Sequence, residues 1–339
     1  MHCHLFVPEF FATDALPSAD RFAAAETLVA RGRRKRHDSI SPQAWLFGRF
    51  DVEKQRDWPV APYTLLGDGG SPGTDTWLRA DPVHLRAGSE GLMLVDVAPS
   101  GIARDEADAL AGTLNHHFGA TLLLQPLQPS RWYLRLQPPT EVETTPPAAA
   151  LGRPVAAHLA RGRDALRLHA LMNEAQMLLH EHPVNVAREA RGEVPLNSLW
   201  PWGGGAIVAA MDSAIGGAIG ATAARPFSMV IADDPLARGL ALAAGIPVRP
   251  LPASAESLRG VLAQKGVALI VMNAPRDAGG AATLERDWFA PLLAALQTRS
   301  IGMLSLHLFG AETLLEVETV RSDLRYLWRR RAPLARYLA

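Results

Sequence analysis

The chain has 339 residues, 48% of them hydrophobic, and 34 Lys and Arg balance 34 Asp and Glu. That length suits two domains, or one domain with an insertion, around a sizeable core. A formal charge of zero speaks against nucleic-acid and anionic-membrane partners, and the single cysteine, Cys3, excludes an intrachain disulfide.

The N-terminus, MHCHLFVPEF, lacks the basic region and long apolar stretch of a signal peptide. No run of about 18 apolar residues marks a membrane span. A soluble cytoplasmic protein is the expectation. HLFVP reads as a short buried strand, and 18–31 as a helix with Ala and Leu at helical spacing. RGRRKRHDS reads as a charged break, and residues 56–75 as an irregular loop rich in Pro and Gly.

From Thr76 the pattern changes. TWLRADPVHLRAG and GLMLVDV predict two strands, IARDEADALAGTLNHHFG an amphipathic helix closed by Gly119, and ATLLLQPL and RWYLRLQ two more strands. This β-β-α-β-β order defines a small α+β domain over 76–137, followed by a Pro- and Thr-rich linker over 138–150. A helix over 164–181 follows. Pro183 stops it and opens a second, shorter helix that ends at Gly192.

LNSLW predicts a strand, and PWGGG a loop leaving its carboxyl end. The chain then alternates strand and helix to its end: FSMVIAD, PLARGLALAAG, IPVRP, SAESLRGVLAQKG, VALIVMN, LERDWFAPLLAALQT, GMLSLHLF, TLLEVET and SDLRYLWRRR. Such alternation predicts an α/β fold, a mostly parallel sheet with helices on both faces. Residues 1–75 and 151–339 form this domain, with 76–137 inserted. Tyr326, Leu327 and Trp328 suggest that the last helix packs down before its basic end.

Ligands of open α/β sheets gather beyond the carboxyl ends of strands. That places the candidate ligand site at Asn197, Ser198, Trp202 and Gly203, Gly204 and Gly205. There, backbone amides without side chains could meet an anion. Arg188 and Arg191 share a helix face and could supply charge. His2 and His4 share a strand face without a third ligand, which is a poor metal site. Asn173, Gln176 and His180 share a helix face that meets either a site or a neighbouring domain. The basic runs Arg31–His37 and Arg329–Arg331 read as solvated surface.

ARGEVPLNSLWPWGGG, FSMVIADDPLARGLALAAGIPV, VALIVMNAPRDAGG and MLSLHLFGAETLL resemble, in order, segments of archaeal-type cofactor-independent phosphoglycerate mutases. Those enzymes belong to the alkaline phosphatase superfamily and carry an inserted domain where 76–137 stands. NEAQMLLHEHPVN and WLRADPVHLRA resemble bacterial regulatory proteins of the pathogenicity-factor E type. The mutases hold two metal ions with Asp and His and use a serine nucleophile. Here APRDAGGAA lacks the family's histidine, and HLFGAETLL lacks its Asp-His pair. The resemblance thus implies a metal-free, non-catalytic relative without a cofactor, which binds a small anionic ligand or a protein partner. The alternative is a mutase-type phosphotransferase with relocated ligands, drawn from Asp68, Asp233, Asp234, Asp277 and His307. Against it, Asp234-Pro235 has the pattern of a helix cap.

Overall fold

The computed structural model describes residues 1–11, 22–88, 91–95, 97, 101–208, 225–262, 264–273, 278–310 and 313–337. In chain order the strands are β1 (His2–Val7), β2 (Arg33–Asp38), β3 (Trp77–Gly88), β4 (Gly91–Val95), β5 (Leu122–Gln128), β6 (Arg131–Leu136), β7 (Ser198–Gly205), β8 (Met229–Ile231), β9 (Val248–Arg249), β10 (Val267–Val271), β11 (Met303–Phe309) and β12 (Thr313–Val320). The chain divides into two compact units, Met1–Val52 with Gly220–Ala339, and Glu53–Ile219.

The first unit is built on a seven-stranded sheet of order β2-β12-β11-β1-β10-β8-β9. Its β11, β1, β10, β8 and β9 run parallel, while β12 and β2 are antiparallel to their neighbours. VALIV, an unbroken apolar run, lies centrally as β10, between β1 and β8. Alternation sorts the side chains of β1 and β11 onto two faces. Cys3, Leu5, Val7, Leu304, Leu306 and Leu308 pack with Leu28 and Val29 of the helix Ala23–Arg31 and with Trp288, Phe289 and Leu292. His2, His4, Phe6, Ser305, His307 and Phe309 occupy the opposite face. The helix Pro42–Arg49 lies against it, started by Pro42 and by a Ser41 hydroxyl that accepts from Ala44 N–H at 3.1 Å. Its Trp45 packs on Phe6 and His307.

The charged break of the sequence is β2, at the edge of this sheet, with Arg33 paired to Glu318 and Lys35 to Glu316 along the ladder. The expected last helix is a short 3-10 turn, Arg321–Arg325, and Leu327 and Trp328 beyond it are 71% and 74% exposed. They do not pack down as expected, because the turn ends at Tyr326 and the chain leaves the core there.

The second unit holds a sheet of order β4-β3-β6-β5, with β7 on the other side of β3. The long β3 is shared: Leu78 and Arg79 pair with β6, His84–Gly88 with β4, and Trp77–Val83 with β7. The pairing of β7 with β3 draws flanking chain into this unit. Residues 76–137 and β7 belong to the same compact unit. The helices Arg104–Phe118 and Ala165–His180 bury Leu110, Leu114, Leu168 and Leu179 against Trp132, Leu134 and Leu199. Gly119 ends the first of them at φ +55°, the left-handed cap its sequence predicts. Ala61 and Leu65, from a helix Val60–Gly67 inside the expected loop, cluster with Trp77 and Tyr133.

Candidate functional site

PWGGG continues β7 instead of leaving it, and all but Gly204 of Ser198–Gly205 is buried. Gly203 adopts φ +64°, and a Cβ there would stand 2.9 Å from Cβ of Val60. A Cβ on Gly205 would lie 2.6 Å from Cβ of Pro59. The glycines thus let the strand pass close to 55–61. Their amides do meet an anion, but it belongs to the chain. Gly204 N–H bonds the Asp57 carboxylate, and Gly203 N–H donates to the Thr144 hydroxyl at 2.9 Å, which itself donates to Asp57. Burial raises the Asp57 pKa, and these bonds oppose it.

The other expected ligand contacts are engaged in the same way. Arg188 is 1% exposed; its guanidinium donates to Glu106 at 2.5 Å, to Val194 O at 2.9 Å and to Gly101 O at 2.9 Å. Arg191 is held by Glu106 at 2.7 Å and Glu193 at 2.8 Å. Asn197 bridges Leu85 N–H and C=O at 2.8 and 2.9 Å, Ser198 is 1% exposed, and Trp202 donates to Asp81 at 2.8 Å. Both arginines bond carboxylates of the fold, and every side-chain nitrogen of Arg188 has a partner.

These residues do brace a cavity of about 500 Å³ where β4 and β6 part from β3. Trp202 holds Asp81 and Arg188 holds the Gly101 carbonyl, both on its wall, beside Pro82, Leu94, Ile102 and Leu151. Asp81 is neutralised by Arg79 at 2.6 Å. The lining suits an apolar group, and the volume lies within the range of small-molecule pockets.

The first unit carries a polar cluster that joins His2, His4 and His307, which the sequence offered separately, to Glu316. His307 Nε2 lies 2.9 Å from His4 Nδ1, and His307 Nδ1 lies 3.1 Å from Glu316 Oε1. Glu316 also accepts from His37 at 2.7 Å, Trp45 at 3.2 Å and Arg49 at 3.3 Å. His2 stacks on His4 with ring centres 4.1 Å apart and bonds Ser305 at 2.8 Å. An ionised Glu316 only accepts, so His307 donates from Nδ1 and accepts at Nε2 from His4. Burial, then the cationic fields of His2, His307 and Arg49, brings His4 down to about 2. Burial also lowers His307. Glu316 is held well below the carboxylate range, first by its bond from His307. The signal was present in the sequence: polar residues alternate in HCHLFV, MLSLHLF and TLLEVETV, which places them on one face. Cys3 points to the other face, where burial pushes its thiol up to about 12 and makes it unreactive.

The relocated ligands of the alternative reading are distributed between the units. In the second unit, Asp68 accepts from Arg131 at 2.7 and 2.9 Å and from Tyr133 at 2.5 Å. Burial acts to raise its pKa, but those bonds outweigh burial and lower it. In the first, Asp233 accepts from Leu251 N–H at 3.1 Å and Asp234 caps the helix Pro235–Ala243 through Ala237 N–H at 2.8 Å. His307 belongs to the cluster above. Asp277 lies outside the described residues. Among the described residues no group of three His, Cys, Asp or Glu is arranged to hold a metal ion, and no helix is long and apolar enough to cross a membrane.

The geometry defines a mixed α/β protein with a mostly parallel sheet and a separate antiparallel one. Residues 72–185 match the family profile of 2,3-bisphosphoglycerate-independent phosphoglycerate mutase, a stretch within the second unit. A mutase of that name from Methanosarcina mazei is 29% identical over 199 residues, which is 55% of this chain and 49% of that protein. A probable one from Geobacter sulfurreducens is 37% identical over 103 residues, 30% of this chain and 24% of that protein. The matched chain spans about half the length of the first and about a quarter of the second. The solved PH0037 protein of Pyrococcus horikoshii shares the fold, with a TM-score of 0.58 over 94% of this chain and 87% of that one at 13% identity. The chain is thus similar, over part of its length, to 2,3-bisphosphoglycerate-independent phosphoglycerate mutases.

Proposed function

We propose that this mutase relative acts by binding, as a cytoplasmic regulatory or ligand-binding protein, without two-metal phosphoryl transfer. One observation carries the reading. Asp68, Asp233, Asp234 and His307, the described members of the set from which a relocated metal site would be drawn, are each engaged in a bond that holds the fold, while Asp277 lies outside the described residues. Two-metal catalysis needs several such oxygen and nitrogen ligands converging with open positions. A ligand pocket in the second unit would be the cavity that Trp202 and Arg188 brace.

The test is calorimetric titration of the full chain with manganese and magnesium, together with an assay of 3-phosphoglycerate conversion to 2-phosphoglycerate. Neither stoichiometric tight binding nor turnover is expected. The names of the relatives favour the alternative, a mutase-type phosphotransferase. Turnover that is lost in Asp277→Asn would establish it and overturn the binding reading.

A further inference from the structure

Two basic runs far apart in sequence meet on the first unit. Arg329 donates through Nη1 to the carbonyls of Arg31 at 3.0 Å and Gly32 at 3.3 Å, which fixes the segment Tyr326–Arg331 at the start of β2. Arg33–Arg36 and Arg329–Arg331 are all exposed. Glu318 pairs with Arg33 at 3.5 Å and Asp38 with Arg36 at 3.1 Å, and Arg34 lies over the Tyr337 ring at 5.0 Å, so the arginines and Lys35 outnumber these carboxylates. In a chain whose formal charge is zero, this is a marked local excess of positive charge.

β2 is the terminal strand of its sheet. It pairs with β12 alone among the described residues, so its outer edge presents backbone donors and acceptors. In the segment that Arg329 ties to the start of β2, Leu327 and Trp328 are 71% and 74% exposed, with Trp328 tilted on Tyr326 at 5.0 Å and Arg329 over the Tyr326 ring at 5.0 Å. Charge on an edge strand commonly serves to prevent aggregation. That explains β2 by itself. It does not explain a Leu and a Trp left in water next to a second arginine run, the composition of a binding hot spot.

We propose that the outer edge of β2, with Leu327 and Trp328 beside it, docks an acidic, extended segment of a protein partner, which adds to the sheet as a strand. The open edge supplies backbone hydrogen bonds, the arginines supply charge and Trp328 supplies the anchor. A second copy of this chain fits poorly, because pairing β2 with β2 would set like charges opposite each other. Single-stranded nucleic acid would use the charge but not the strand edge. The surface is independent of whether the chain transfers phosphoryl groups.

The test uses the full chain and a fluorescent peptide of about ten residues alternating Glu and Val, followed by anisotropy. Saturable binding that weakens steeply with added salt is expected. Trp328→Ala, and separately Arg34→Glu with Arg36→Glu, should each weaken it about tenfold or more at unchanged melting temperature. N-methylation of alternate residues of the peptide should abolish it, because the edge bonds are lost. No binding, equal binding of the N-methylated peptide, or indifference to these substitutions would overturn the proposal. So would tighter binding of a single-stranded oligonucleotide or of anionic vesicles.

Discussion

β7 and β2 are the two strands whose sequences stand out most, SLWPWGGG for its tryptophans and glycines and RRKRHD for its charge. The first looked like a site and the second like solvated surface. In the structure β7 lies on β3 and beneath 55–61, so its special residues serve close packing. β2 pairs with β12 alone among the described residues, and its Arg33–Arg36 remain exposed. An unusual composition therefore reports first where a strand sits in its sheet. Function can be argued only from the groups that this position leaves unengaged.

The contrast breaks most visibly at Arg188. If it is internal support, Arg188→Ala leaves the Glu106 carboxylate without its buried partner and should cost about 3–5 kcal/mol in urea unfolding. A free anion contact would show little loss. Gly203→Val comes next. It forces a β-branched side chain into φ +64° and a Cβ to 2.9 Å from Val60, at a cost of about 3 kcal/mol. A melting temperature unchanged by the valine would make the segment a tolerant turn and remove the comparison's first half.

A third measurement concerns the polar face of the first unit. His4 and His307 have folded pKa values below the unfolded 6.5, so both stay neutral in the fold while the unfolded chain takes up protons. Their contribution is present above pH 6.5 and is lost as pH falls below it. Glu316 is depressed too, but its contribution is present above 4.5 and is lost only below that. Between pH 6.5 and 4.5 the histidines therefore dominate this cluster, and His4 alone should account for about 2–3 kcal/mol. In His4→Phe, urea unfolding should lose less stability between pH 7.5 and 4.5 than the parent does. Equal losses would mean that the cluster is open to water.

The sequence made the periodic parts legible. Strand-helix alternation, the buried run VALIV and the cap at Asp234-Pro235 each rest on a local pattern, and each appears in the structure. What it hid depends on distant partners. β2 carries no apolar alternation because its ladder is held by β12 from the far end of the chain, almost 280 positions later in sequence. PWGGG read as a loop because nothing local shows that 55–61 lies against it. The engagement of Arg188 depends on Glu106, from another helix. His4, His307 and Glu316 were visible one by one, but only the ladder registers of β1, β11 and β12 bring them into one chain of hydrogen bonds.

The smallest expected effect sharpens the comparison from the other side. Trp328 is 74% exposed and lies against the Tyr326 ring, so its removal empties no core volume. Trp328→Ala should change unfolding free energy by no more than about 0.5 kcal/mol, the ordinary range for a surface substitution. A tryptophan buried in a core would cost about 3–5 kcal/mol on the same change. Trp132, which is 0% exposed in the second unit, supplies that reference within the same chain. Urea unfolding of Trp328→Ala and Trp132→Ala side by side thus measures the difference between an available and an engaged tryptophan. If Trp328→Ala costs as much as Trp132→Ala, Trp328 is part of a packed core in solution, and the outward half of the comparison fails.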